Sequence, residues 1–243
     1  MSSRSSYRAL WLAAGLVVAL GAVPAFAADT ECALGSKAAP SELISACTAA
    51  IEQAANSPRD QSAALVTRAD AHARTSGGLT QALKDLDRAI ALDGRNARAY
   101  RLRGDLVREA GGDAGKATAD LSMAISLDPN DAEAFELRGV VYTGQRRLDR
   151  ALADYDQAIR LKPDYAQAYA DRGVAFYLRG DNEKAVRDYD EAIRLDPDRP
   201  RTFTNRGAAY KKLGDMDKAL ADDSEAIRKC RNITTIAVSP TLP

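Results

Sequence analysis

The chain has 243 residues, 34 basic and 34 acidic, and its single histidine leaves the formal charge at zero. So even a balance gives no general attraction for phosphate backbones or anionic lipid surfaces, which argues against nucleic acid as a partner. One histidine cannot build a multi-histidine metal site or a Ser-His-Asp triad, and neither a Gly-x-x-x-x-Gly-Lys loop nor a Gly-x-Ser-x-Gly elbow occurs. We expect no cofactor, no metal and no catalytic activity.

Residues 1–27 read as a signal peptide. Arg4 and Arg8 supply a positive start, residues 10–20 are an apolar run, and Ala25-Phe26-Ala27 offers the small-x-small pattern of a cleavage site. The run is shorter than the roughly 20 apolar residues of a spanning helix. Cleavage after Ala27 would leave 216 residues with 32 basic against 34 acidic, and the residue directly after the cut is Ala28 rather than the cysteine of a lipid-anchored chain. The expectation is an exported chain, periplasmic or secreted, with no membrane insertion after cleavage. Residues 28–61 form a leading segment. Ala39-Pro40-Ser41-Glu42 begins like a capped helix, and Leu43, Ile44, Cys47, Ala50 and Ile51 make one apolar stripe, a candidate N-terminal capping helix. In an oxidising compartment Cys32 and Cys47 suggest a disulfide fastening the strand before this helix to it; two separate thiols are the alternative.

Five units follow, at 62–96, 97–131, 132–165, 166–199 and 200–233, with a tail at 234–243. The third and fourth are 34 residues each and align without a gap: Gly139 falls on Gly173, Ala151 on Ala185, Tyr155 on Tyr189, Ala158 on Ala192 and Pro163 on Pro197. A fixed period of this length signals a repeat architecture. Within a unit, Phe135, Leu137, Val141 and Tyr142 recur at helical spacing, Gln145-Arg146-Arg147 interrupts, and a second helical series runs from Leu148 to Leu161 before Pro163 stops it. Each unit is thus a pair of antiparallel helices of about 14 residues, roughly 21 Å long. The first unit is degenerate, with Leu65, Ala69, His72 and Gly94 at consensus places, so His72 reads as a packing residue. The first and second units each carry one extra residue, near Gly77-Gly78 and around Gly111 to Gly115. In the fifth, Asp223 stands where Tyr155 and Tyr189 stand in the others. After Arg228 the pattern breaks, and 233–238 is β-branched without helical period.

These residues resemble the tetratricopeptide repeat. The third unit carries its signature at Phe135, Gly139, Tyr142, Ala151, Tyr155, Ala158 and Pro163, and the fourth at Tyr169, Gly173, Phe176, Ala185, Tyr189, Ala192 and Pro197. The resemblance implies an all-α fold, a right-handed α-solenoid of about five helix-turn-helix units, whose concave face binds a protein or peptide. The Arg-Gly and Asp-Tyr-x-x-Ala-Ile phrasing, the signal peptide and the paired cysteines are similar to a group of small periplasmic bacterial repeat proteins. The family's inner-face positions fall here on Arg98, Arg101, Asp105 and Arg108; Glu133, Glu136, Val140 and Thr143; Gln167, Ala170, Val174 and Tyr177; Arg201, Thr204, Ala208 and Lys211. The resulting surface runs from basic through acidic and neutral to weakly basic. It suits an extended peptide of mixed charge, a plain solvated face being the alternative.

One pattern goes beyond that signature. An arginine precedes the glycine place in every first helix (Arg68, Arg103, Arg138, Arg172, Arg206), and an aspartate recurs in every second helix (Asp85, Asp120, Asp154, Asp188, Asp222). We expect partly buried bridges between helices rather than a charged stripe for a partner. Repeat arrays usually end in a polar-faced helix, and none is visible. The tail or a neighbouring molecule would cover the last apolar face. Cys230 is either a link between two chains, making a homodimer, or a small packed residue.

Overall fold

In a computed structural model, residue 32, residues 38–54 and residues 57–237 are described, the last six by backbone alone. The expected signal peptide and residues 238–243 of the tail lie outside the described residues. Eleven helices and no strand run through the described residues: α1 (Pro40–Gln53), α2 (Pro58–Ala73), α3 (Leu79–Leu92), α4 (Ala97–Glu109), α5 (Ala114–Leu127), α6 (Ala132–Gly144), α7 (Leu148–Leu161), α8 (Ala166–Arg179), α9 (Asn182–Leu195), α10 (Pro200–Leu213) and α11 (Met216–Ala237). They pair as the period predicts, α2 with α3 through α10 with α11. Each pair packs on the next to form an all-α solenoid.

Local chemistry sets the helix ends. Asn96, Asp113 and Asp131 cap α4, α5 and α6 by accepting from the backbone N–H of Ala99, Gly115, and both Glu133 and Ala134. Pro40, Pro58 and Pro200 occupy first-turn positions, where the missing N–H costs nothing. The turn inside every unit passes through a left-handed residue. Four of these are glycines, and the third unit uses Arg146 at φ 59°.

Close approach of the two helices depends on small residues. A Cβ on Gly139 would stand 2.7 Å from Tyr155 Cε1, and one on Gly173 would stand 2.6 Å from Tyr189 Cε1. Ala82, Ala117, Ala151, Ala185 and Ala219, one from each second helix, are fully buried. First helices of successive units also touch, α2 with α4, α4 with α6, α6 with α8 and α8 with α10, which places them on the inner side of the curve.

The Arg–Asp series forms five buried forks. In each, Nε donates to one carboxylate oxygen at 2.8–2.9 Å and Nη2 donates to the other at 2.6–2.8 Å. The aspartate side chains are 6–12% exposed. The remaining terminal nitrogen, Nη1, reaches back to the preceding second helix. Arg103 meets Asp87, Arg138 meets Ser122, Arg172 meets Asp156 and Arg206 meets Asp190, at 2.6–3.1 Å. Arg68 completes the series on Thr48 of α1 at 3.0 Å. Helix α1 therefore stands in the register of a second helix, with Leu43, Cys47, Ala50 and Ile51 buried and Ile44 half-buried. Cys32 and Cys47 are joined in a disulfide with their Cα atoms 4.9 Å apart.

Helix α11 differs from the reading of the sequence. It continues through Ala237 and spans 22 residues, where the pattern suggested a break after Arg228. Propagation of a formed helix costs little per residue, and neither proline nor glycine interrupts the chain from Met216 to Ala237. No helix of the described residues is long and apolar enough to cross a membrane.

Candidate protein-binding groove

The inner face is built by α2, α4, α6, α8 and α10. The ten groove residues expected from the sequence sort into three groups. Arg98, Glu133, Arg201 and Lys211 are exposed, Arg101, Asp105, Arg108, Gln167 and Tyr177 are half-buried, and Glu136 is buried at 5% exposure.

Most of the polar members engage one another. Arg101 pairs with Asp131 at 2.9 Å and also with Glu133. Arg108 Nε donates to Asp105 at 3.0 Å. Gln167 donates to Asp171 at 2.7 Å and accepts from Arg199. Lys211 reaches Asp223 at 2.8 Å, so the aspartate that replaces the expected aromatic serves as the partner of a groove lysine. The alternation of charge expected along the groove is thus largely neutralised within the chain. Glu136 departs furthest from expectation. The Tyr165 hydroxyl, just before α8, donates to its Oε2 at 3.3 Å, and burial followed by the neighbouring Asp171 pushes its carboxyl up to about 9. It belongs to the joint between units rather than to the open surface.

Arg98 and Arg201 make no ion pair among the described residues, and each lines a cavity. One, of about 450 Å³, lies among Arg98, Asn96, Asp60, Thr67 and Val66 near the disulfide. The other, of about 320 Å³, is bounded by Arg201, Asn205, Thr202, Gln167 and Asp171. Asn205 and Asp171 were not among the expected contacts, although each lies one position beyond an inner-face residue on its helix. Tyr177 is half-buried against the cluster of Ala185, Tyr189 and Ala209. His72 is half-buried on α2. Among the described residues, no group of three or more His, Cys, Asp or Glu side chains is placed to hold a metal ion.

The paired helices, the glycine–tyrosine approaches and the inner groove define a helical repeat solenoid of the interaction class. Family models described as TPR repeat match residues 145–178 and 173–214, and one described as tetratricopeptide repeat matches 66–132. The chain belongs to the tetratricopeptide repeat family. Among solved structures it is similar to that of MamA, at 25% identity and TM-score 0.59, covering 67% of this chain and 94% of that one. It is also similar to YrrB, described as a TPR protein with an unusual peptide-binding site, at 22% identity and TM-score 0.60 over 76% of this chain and 93% of that one. A tetratricopeptide repeat protein from Parabacteroides merdae ATCC 43184 gives 21% identity and TM-score 0.64, covering 78% and 73% respectively. No curated protein sequence matches.

Proposed function

We propose that this chain is a non-catalytic scaffold that holds an extended segment of another protein of the bacterial envelope along its inner face. The observation that carries this reading is the pair of exposed arginines, Arg98 and Arg201, each beside a cavity and without an ion-pair partner among the described residues. Elsewhere the groove satisfies its own charges, so these two offer fixed points for carboxylates of a bound segment. The disulfide and the signal-like first 27 residues support an exported, periplasmic or secreted, setting. The test is cross-linking in the native compartment, with the unaltered chain beside Arg98→Glu and Arg201→Glu variants. A partner lost in both variants supports the reading; a partner kept in both overturns it.

A second reading, self-association through the last unit, is favoured by one observation. Leu152 is packed with Ala175 and Phe176 of the following unit, whereas Leu220, its counterpart in the last unit, is 68% exposed. Met216 and Ile227 on the same helix are exposed at 61% and 55%, and Cys230 is exposed nearby. Sedimentation with and without reductant separates the forms. A dimer that Leu220→Lys abolishes supports this reading, and a monomer at all concentrations rejects it.

A further inference from the structure

The cavity of about 320 Å³ between α8 and the first turn of α10 has two ends of opposite character. Arg201, Thr202 and Asn205 line it from α10, and Asp171 lines it from α8. Thr202 stands apart from its counterparts. The other four units carry Ala64, Ala99, Ala134 and Ala168 at this place, each buried, so packing here asks for no more than a methyl group. Thr202 is 3% exposed, and its hydroxyl has no hydrogen-bond partner among the described residues. A buried hydroxyl left unpaired is unfavourable. Here it borders a cavity that a ligand can enter.

The neighbouring charges are spent elsewhere. Arg199 is held by Asp196 at 2.5 Å and by Gln167, and Asp198 is held by Lys229 at 3.1 Å. Among the described residues, Arg201 has no ion pair and the Asn205 side chain has no hydrogen-bond partner. Asp171 accepts from Gln167 at 2.7 Å but pairs with no cation among them. The start of α10, which no side chain caps, adds its positive end beside Arg201. The cavity thus offers donors and positive charge on α10 and a carboxylate on α8. Its volume stands at the small end of the roughly 300–1,000 Å³ of small-molecule pockets.

We propose that this cavity binds a free α-amino acid as its zwitterion. The ligand carboxylate accepts from the guanidinium of Arg201, the hydroxyl of Thr202 and the amide of Asn205, and the ligand ammonium donates to Asp171. A residue within a peptide chain lacks the free ammonium and would leave Asp171 without a counter-charge. The groove reading also uses Arg201, but for a carboxylate alone, so the two stand or fall separately.

The test is isothermal titration calorimetry of the whole chain with the common L-amino acids, one at a time. Any that binds is then compared with its N-acetyl and carboxamide forms. The expected result is saturable binding of at least one amino acid, in roughly the micromolar to millimolar range, lost in both blocked forms. Thr202→Ala restores the residue of the other four units, so it should keep the fold and weaken binding by about threefold to tenfold. Asp171→Asn, equal in size, should weaken it by about tenfold or more. No saturable binding by any amino acid overturns the proposal, as does an affinity unchanged in both variants. An N-acetyl form that binds as tightly as its parent also overturns it, because the carboxylate alone is then read; that outcome leaves the groove reading standing.

Discussion

Arg138 spans three environments at once. It forks onto Asp154, donates to Ser122, and lies 5.8 and 5.9 Å from the ring centres of Phe135 and Tyr142. With the Asp154 side chain only 8% exposed, removing the arginine strands a buried carboxylate. Arg138→Ala should cost about 3–5 kcal/mol in denaturant unfolding, against roughly 0–1 for an exposed pair. Arg138→Lys should recover only part of the loss, since an ammonium is a point charge without the planar fork. The pairing itself was legible in the sequence, because both residues recur in every unit while their neighbours vary. The role of Glu136 was not. Its place in the repeat assigns it to the inner face, but a tyrosine 29 residues further on covers it, and no local pattern announces such a lid.

Helix boundaries and pairings followed the apolar period closely, while the exceptions arose where one residue overrides the pattern. Arg146 adopts φ 59° at a turn where the other four units use glycine. A side chain in the left-handed region costs about 1–2 kcal/mol, partly offset by the greater freedom of glycine when unfolded. Arg146→Gly should therefore raise stability by about 0.5–1 kcal/mol, seen as a higher denaturant midpoint with an unchanged slope. The reverse change at the crossing of α6 and α7 should harm the fold. Gly139→Ala drives a Cβ into the Tyr155 ring, which is 1% exposed and has little room to turn, and should cost about 1–3 kcal/mol in the same assay. The length of α11 escaped the sequence reading because loss of an apolar period removes the packing signal, not the ability to continue hydrogen bonding along the helix.

In a solenoid each unit stands mainly on its neighbours, so a local loss should stay local. The Cys32–Cys47 bridge closes a short loop at one end of the array. Reduction should cost about 3 kcal/mol there. Hydrogen exchange should accelerate in α1 and α2 while α8 to α10 keep their protection; uniform acceleration would mean the array opens as a single body. The five backward-reaching Nη1 contacts give the array a direction of growth. Every arginine finds its last acceptor in the unit upstream and none depends on the unit downstream. As the polypeptide leaves the ribosome, each newly made unit meets a finished docking point, and the arginine closes the seam behind it. Shortening the chain from its C-terminal end should accordingly leave pieces whose arginine seams are all closed, whereas cutting away α1 should leave Arg68 without its anchor at Thr48 and fray the array from its beginning.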